Sequence, residues 1–335
     1  MEDSDSAPVQ ADRLQLRPLD GKDLDAVVTL DRALAGHSRR NFFARRLEHA
    51  ARDPDGFVAI AAERDGRVAG FALARITEGE FGATSREAVL DAIGVDPALA
   101  GQRGVGRGLI DGLVAELQGR GIGELATQVD WTEHGLLGFF ARSGFDLAPR
   151  IVLARASADR LPVARGAGPE RDNDHSDAAG DDFQSLAHDR LPVRSMTRDD
   201  LAPIIEIDRR ITGRARVAYL TRKLDEAFTE SAVQMSLVAE IDHRPAGFVM
   251  ARVDIGEFGH AEPEAVMDTI GVDPRQSHKG IATALLSQLM ANLVALRTET
   301  LRTEVGWNHF GLMRFLDRMG FGPHRRLALR RPIRG

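Results

Sequence analysis

Apolar and polar positions alternate first with a period of two, then with the period of a helix, and the whole succession then recurs once. Residues 14–19 alternate as a short strand, and residues 23–35 carry apolar side chains at helical spacing, with a counterpart at 200–211. A second helix is predicted over 39–50. Residues 57–62 and 68–76 read as strands joined by the turn signal Asp65-Gly66, and 88–95 as a third strand ending at Asp96-Pro97. Ile110, Leu113, Val114 and Leu117 fall at i, i+3, i+4 and i+7, as do Leu286, Leu289, Met290 and Leu293. A strand over 125–129, a helix over 133–142 and a last strand over 151–154 complete the unit. The order predicts an α+β fold, a mixed and mostly antiparallel sheet flanked by helices.

Residue by residue the repeat is closer than the pattern alone requires. Leu14 matches Leu191, and the same offset carries Arg17 onto Arg194, Asp31 onto Asp208 and Gly36 onto Gly213. EAVLDAIGVDP at Glu87 becomes EAVMDTIGVDP at Glu264; one residue then drops out, so that Gly104 matches Gly280 and Trp131 matches Trp307. A period this long is a whole domain. The expected organisation is a disordered tail (1–13), an N-terminal domain (14–155), a flexible linker rich in Asp, Ala, Gly and Arg (156–190) and a C-terminal domain (191–335). The two halves are expected to pack as an intramolecular pseudo-dimer.

Composition narrows the function classes. The 335 residues are 43% apolar, without the apolar run that a membrane span requires, and the polar, acidic start does not read as a secretory signal. A formal charge of -6 argues against nucleic acid as a partner. The absence of cysteine excludes disulfides, thiolate metal sites and a cysteine nucleophile, and suits the cytoplasm. The ten histidines show no metal-ligand spacing, and no GxSxG supports a serine hydrolase.

Chemistry is suggested first by two loops. GQRGVGRG spans 101–108 and SHKGIATA spans 277–284, each before a predicted helix. Small residues let backbone N–H groups approach a ligand, and the helix start behind them favours a phosphate or pyrophosphate; a tight turn that merely packs is the other reading. A P-loop is excluded, because Gly106 is followed by Arg107-Gly108 and not by Lys-Ser or Lys-Thr. A dinucleotide fingerprint is excluded by Leu109, which stands where its third glycine belongs.

The runs IGVDPALAGQRGVGRGLIDGLV and IGVDPRQSHKGIATALLSQLM, with the later WTEHGLLGFFARSGF and WNHFGLMRFLDRMGF, resemble the core motifs of the GNAT superfamily of N-acetyltransferases, in both copies almost end to end. That resemblance implies tandem GNAT folds and acetyl-CoA as cosubstrate. The loop Arg103-Gly104-Val105-Gly106-Arg107-Gly108 meets the family pattern in full, and by that likeness holds the pyrophosphate. Ile93 and Val95, with Ile270 and Val272, are implied to offer main-chain groups to the pantetheine arm and thioester. The second loop departs: Lys279-Gly280-Ile281-Ala282-Thr283-Ala284 has Lys for the leading Arg or Gln and Ala for the middle glycine, keeping charge but losing the planar fork. The tyrosine that often protonates the departing thiolate in the family aligns with Phe140 and Leu316, and the family's usual asparagine with Glu133 and His309. The chain's single tyrosine, Tyr219, lies far from either position in sequence.

Acetyl transfer to a primary amine, of a small molecule or a protein lysine, requires loss of an ammonium proton, for which a carboxylate is the natural acceptor. Asp91 and Asp268 are the first candidates, four residues before the V of each GVDP, with capping or solvated aspartates as the plainer alternative. Glu80 and Glu257, in the GEFG segments, are candidates for the acceptor entrance, though a plain hairpin turn is the favoured explanation. Glu304 is a candidate in the second copy alone, where the first has Gln128. Trp131 and Trp307 are expected to pack a core beside the cleft. Without cysteine, direct transfer in a ternary complex is favoured over an acyl-enzyme. The rival from another class is a noncatalytic acyl-CoA-binding or scaffolding module, motivated by the missing tyrosine and the altered second loop.

Overall fold

The computed structural model describes residues 14–78, 86–99, 104–159, 191–229, 235–254, 258 and 264–334. Strands β1 (Gln15–Pro18), β2 (Phe57–Arg64), β3 (Arg67–Glu78) and β4 (Arg86–Val95) follow one another as antiparallel neighbours, and β5 (Glu124–Asp130) then pairs parallel to β4. Helices α1 (Leu24–Ala35) and α2 (Arg40–Arg52) cover one face of this sheet through Val27, Phe42, Phe43 and Leu47. Helices α3 (Val105–Gly119) and α4 (His134–Arg142) cover the other through Leu109, Ile110, Leu113, Leu117 and Phe140. The β2–β3 turn is of the primed kind that matches strand twist, since Asp65 and Gly66 both take positive φ, 50° and 73°. After the short β6 (Asp146–Leu147) comes β7 (Arg150–Ala156).

The second copy repeats the series with β8 (Val193–Ser195), α5 (Leu201–Thr212), α6 (Val217–Thr229), β9 (Leu237–Ile241), β10 (Arg244–Asp254), β11 (Glu264–Val272), α7 (Ile281–Ala295), β12 (Thr300–Gly306), α8 (Phe310–Arg318), β13 (Gly322–Pro323) and β14 (Arg326–Pro332). Two mixed, mostly antiparallel sheets flanked by helices result. Among the described residues no helix is long and apolar enough to cross a membrane.

The last long strand of each copy does not return to its own sheet. The sheets run β1-β2-β3-β4-β5-β14-β6 and β13-β7-β12-β11-β10-β9-β8. Strand β7 of the first copy pairs with β12 from Arg150 opposite Gly306 to Ala156 opposite Thr300, and β14 of the second pairs with β5 from Arg326 opposite Asp130 to Pro332 opposite Glu124. Leu329 and Ile333 are thereby buried in the core under α3, and Leu153 in that under α7. The sequence repeat divides at the segment 156–190, whereas the sheets divide between β6 and β7 and again between β13 and β14. Each exchanged strand satisfies the backbone edge of its host and adds apolar side chains to it, which makes the two halves one interlocked body.

Candidate active site

In each half a cleft opens where two parallel strands part. Strands β4 and β5 pair only through Ala88 opposite Leu125 and Val89 opposite Ala126. The cause of the parting is a β-bulge. Leu73 faces Ala92 and Ala74 faces Leu90, so Asp91 has no counterpart on β3 and β4 bends away from β5. The second half repeats this, with β11 and β12 paired only at Ala265/Leu301 and Val266/Arg302, and with Asp268 as the extra residue between Thr269 and Met267. At the fork Thr127 donates its hydroxyl to the Leu90 carbonyl at 3.0 Å, and Thr303 does so to the Met267 carbonyl at 2.9 Å.

Beyond the bulge one edge of each strand faces the gap. The Asp96 N–H goes back to the Ala69 carbonyl on β3 at 2.9 Å, and strand alternation then turns the main-chain groups of Ile93 and Val95 toward the opening. The Asp273 N–H to the Ala246 carbonyl, 2.8 Å, sets Ile270 and Val272 the same way. Behind each gap lies a helix start. Gly104, with φ +131°, and Gly280, with φ +75°, take backbone angles that other residues rarely adopt as they lead into α3 and α7. Neither helix has a side-chain cap or an acidic residue in its first turn, so the N–H groups of Val105, Gly106 and Arg107, and of Ile281, Ala282 and Thr283, form helix starts suited to an anion. Gly108 and Ala284 close the first backbone bonds of these helices onto the Gly104 and Gly280 carbonyls, at 2.7 and 2.9 Å. Lys279 stands just before the second helix start; Arg103, Glu80 and Glu257 lie outside the described residues.

The two clefts differ in how the strand leaving each is anchored. In the first, Asp96 caps Ala98 N–H at 2.9 Å. In the second, Asp273 caps Arg275 N–H and is also paired with the guanidinium groups of Arg275 at 3.0 Å and Arg210 of α5 at 2.8 Å.

The carboxylates expected as bases are deeply placed. Asp91, 1% exposed, is paired with Arg75 at 3.0 Å and Arg46 at 3.2 Å, which ties α2 and β3 to the bulge. Asp268, 3% exposed, is paired with Lys223 of α6 at 3.1 Å and Arg252 of β10 at 3.6 Å. Protonating either would remove a negative charge that two neighbouring cations pair with in a low-dielectric setting, which opposes proton uptake, and the expectation that they serve as bases meets this obstacle.

Glu304 has different surroundings. It projects from β12 on the side opposite α7, accepts a hydrogen bond from the Gln128 amide of the first copy, and lies 3.9 Å from Arg150. Burial pushes its carboxyl above the usual range, against the pull of Arg150 and Arg302. Around it a charged network joins the halves. Arg150 of the exchanged β7 is bidentate on Glu87, at 2.8 and 2.5 Å. Arg302 reaches Glu264 at 3.0 Å and the Gln128 side-chain oxygen at 3.1 Å, and Arg326 of β14 pairs with Glu264 at 3.2 Å. The cavity lined by Glu87, Gln128, Arg150, Arg302 and Glu304 has a volume of about 20 Å³, room for about one water molecule. This network is not among the candidates the sequence suggests, although Glu87 recurs as Glu264 and Arg150 as Arg326, and charged residues kept in both copies are its signal.

Trp131 and Trp307 correct another expectation. They are 55% and 60% exposed, at the ends of β5 and β12 beside the cleft mouths, and not in a core. Their N–H groups bond to carbonyls of the other copy's crossing segment, Arg325 and Pro149, at 3.0 and 3.2 Å. Phe140 and Leu316, where the family's acid tyrosine would stand, are buried apolar residues, and Tyr219, on α6, is buried in the core between α5, α6 and the sheet with Arg216 over its ring.

Residues 25–145 and 201–321 each match the acetyltransferase (GNAT) family. A mycothiol acetyltransferase of Clavibacter michiganensis subsp. michiganensis is 28% identical over 229 residues, 67% of this chain and 63% of that protein, so the match spans less than two thirds of the relative. Among solved structures, a tandem GNAT protein from the clavulanic acid biosynthesis pathway superposes over 96% of this chain and 99% of its own, with a TM-score of 0.62 at 15% identity. A GCN5-related N-acetyltransferase of Sphaerobacter thermophilus does so over 97% of both chains, with a TM-score of 0.59 at 17% identity.

Proposed function

The chain belongs to the GNAT acetyltransferase family, and from that premise we propose that it transfers the acetyl group of acetyl-CoA to a primary amine, of a small molecule or a protein lysine, by direct transfer in a ternary complex. The observation that carries the proposal is the combination, in one half, of a parted parallel strand pair, an uncapped helix start behind it and a buried carboxylate with a raised pKa on the opposite side. Acetyl-CoA supplies an activated thioester. The chain binds it through the first-turn N–H groups of α3 and α7, with Arg107 and Lys279 adding positive charge, and through the gap-facing main chain of Ile93 and Val95 or Ile270 and Val272. N–H groups on that edge are placed to hold negative charge on the acyl oxygen as the amine attacks.

Glu304 is the proton acceptor in this reading. It takes one proton from the ammonium, directly or through one water, which frees the nitrogen lone pair; the second amine proton balances the thiolate that leaves. A raised pKa suits a carboxylate to this near neutrality, and a positioned base contributes about 10²- to 10⁴-fold. The first half holds the complete family loop but has Gln128 where the base stands, so the second half carries the amine chemistry and the first binds acetyl-CoA without it.

The test is calorimetric titration of acetyl-CoA into the intact chain, paired with acetylation of a panel of primary amines by the parent and by Glu304→Gln. Two binding sites, with turnover lost by about 10²-fold or more in the variant, is the expected result. Binding without turnover on any amine would favour a noncatalytic acyl-CoA module, and no binding would sink the acetyltransferase reading.

A further inference from the structure

We propose that Gln128 of the first copy is a positioning residue for the Glu304 carboxylate of the second cleft, held in orientation by Arg302, so that the second site is complete only when both copies contribute to it. The inference rests on the reading of Glu304 as the proton acceptor.

The argument begins with donors and acceptors. A glutamine amide has one end that accepts and one that donates, and Arg302 can only donate. Its guanidinium lies 3.1 Å from the Gln128 oxygen, which fixes that end and turns the NH₂ toward Glu304. An ionised carboxylate only accepts, so the contact is a donor bond that favours the charged form. Arg302 is itself anchored by Glu264 at 3.0 Å. The chain of contacts therefore runs from Glu264 through Arg302 and Gln128 to Glu304, crossing from the second copy to the first and back.

The groups that face Glu304 come from several elements. Arg150 of β7 lies 3.9 Å away and carries Glu87 of β4 behind it; Arg302 shares its strand; Arg75, Arg252 and Glu124 line the same small cavity. Gln128 adds to these charged groups a neutral side chain hydrogen-bonded to Glu304, and substituting it removes a directed donor without removing a charge.

The repeat adds an independent argument. Gln128 and Glu304 are equivalent positions of the two copies and touch each other, as do residues at the centre of a symmetric dimer. In a dimer of identical chains that position meets itself, so a glutamate there faces a glutamate and the pair resists ionisation. The fused chain holds a glutamate on one side and its uncharged amide on the other. The neighbouring position is split likewise, Ala126 in the first copy and Arg302 in the second.

The experiment uses the full chain with ¹³C-labelled glutamate side chains, following the Glu304 carboxyl by NMR against pH and assigning it by its absence in Glu304→Gln. Gln128→Met keeps the volume and removes the donor, and moves the Glu304 midpoint upward by about one pH unit. The acidic limb of acetylation of an amine found active in the panel moves with it. Gln128→Glu, which restores like charges, moves the midpoint further. A midpoint within about 0.3 pH unit of the parent in a folded Gln128→Met overturns the proposal; should that variant not fold, an unmoved midpoint in Gln128→Glu does so. The failure is distinct from failure of the underlying reading, which is shown instead by turnover that survives in Glu304→Gln.

Discussion

Replacing Asp91 by asparagine keeps the side chain's shape and removes a charge with which Arg46 and Arg75 both pair at the bulge of β4. Those arginines are themselves mostly buried, 16% and 10% exposed at the side chain, so water cannot replace the lost partner. Removing one member of a buried ion pair costs about 3–5 kcal/mol, against about 0–1 kcal/mol for an exposed pair. Asparagine retains an acceptor for one guanidinium, which places the expected loss near the low end, about 3 kcal/mol. For a domain whose total stability is about 5–15 kcal/mol that is a large fraction. Urea unfolding of the intact chain, followed by far-UV circular dichroism, measures it, and acetyl transfer is assayed separately at a temperature where the variant remains folded. Turnover then falls only as far as the cleft is distorted. A loss of stability below about 1 kcal/mol together with abolished turnover refutes this reasoning and returns Asp91 to the role of proton acceptor.

Three further outcomes follow from the same geometry. A protease site placed within 160–190 and cut after folding leaves fragments that elute together, because β7 and β14 remain exchanged; fragments that part without denaturant contradict the interlocked sheets. Trp131 and Trp307 are the only tryptophans and stand at separate cleft mouths, so acetyl-CoA alters the fluorescence of Trp131→Phe and of Trp307→Phe independently; a response in neither places the ligand elsewhere. Hydrogen bonding from Arg17 holds the Asp23 carboxyl below its ordinary range, and Arg194 does the same for Asp200 against the opposing effect of burial. A depressed carboxyl stabilises the fold above its unfolded pKa, about 3.9, and loses that contribution as pH falls toward the folded value. The Tm deficits of Arg17→Met and Arg194→Met are therefore largest above about pH 5 and shrink below about pH 3, and a deficit constant with pH counts against the assignment.

Much of each unit was legible because the chain spells it twice. A helix such as α3 is marked by apolar spacing in one copy and confirmed by α7 in the other, and the turn at Asp65-Gly66 announces its positive φ angles through residue type. The destination of β7 was not legible. Its consecutive apolar residues Ile151, Val152 and Leu153 suit an antiparallel neighbour in either sheet, and pairing with β12 or with β5 leaves the same local signature. The bulge was hidden for a related reason, since an extra residue on β4 shows only against β3. Asp91 accordingly reads as a cleft aspartate from the sequence alone, because its partner Arg46 sits on a helix far earlier in the chain. The Glu304 position was visible as a difference from Gln128, but their contact needed the exchanged strands that bring the two copies together.

The exchange also orders events during synthesis. Strands β7 to β13 are consecutive in the chain, so every strand of the second sheet has been made once Pro323 is added. The first sheet begins earlier and closes later: its β5 edge waits for β14, the last of the described strands to leave the ribosome. Until then β5 presents an open backbone edge, the kind of template on which nascent chains pair wrongly. The half encoded first is thus the half completed last.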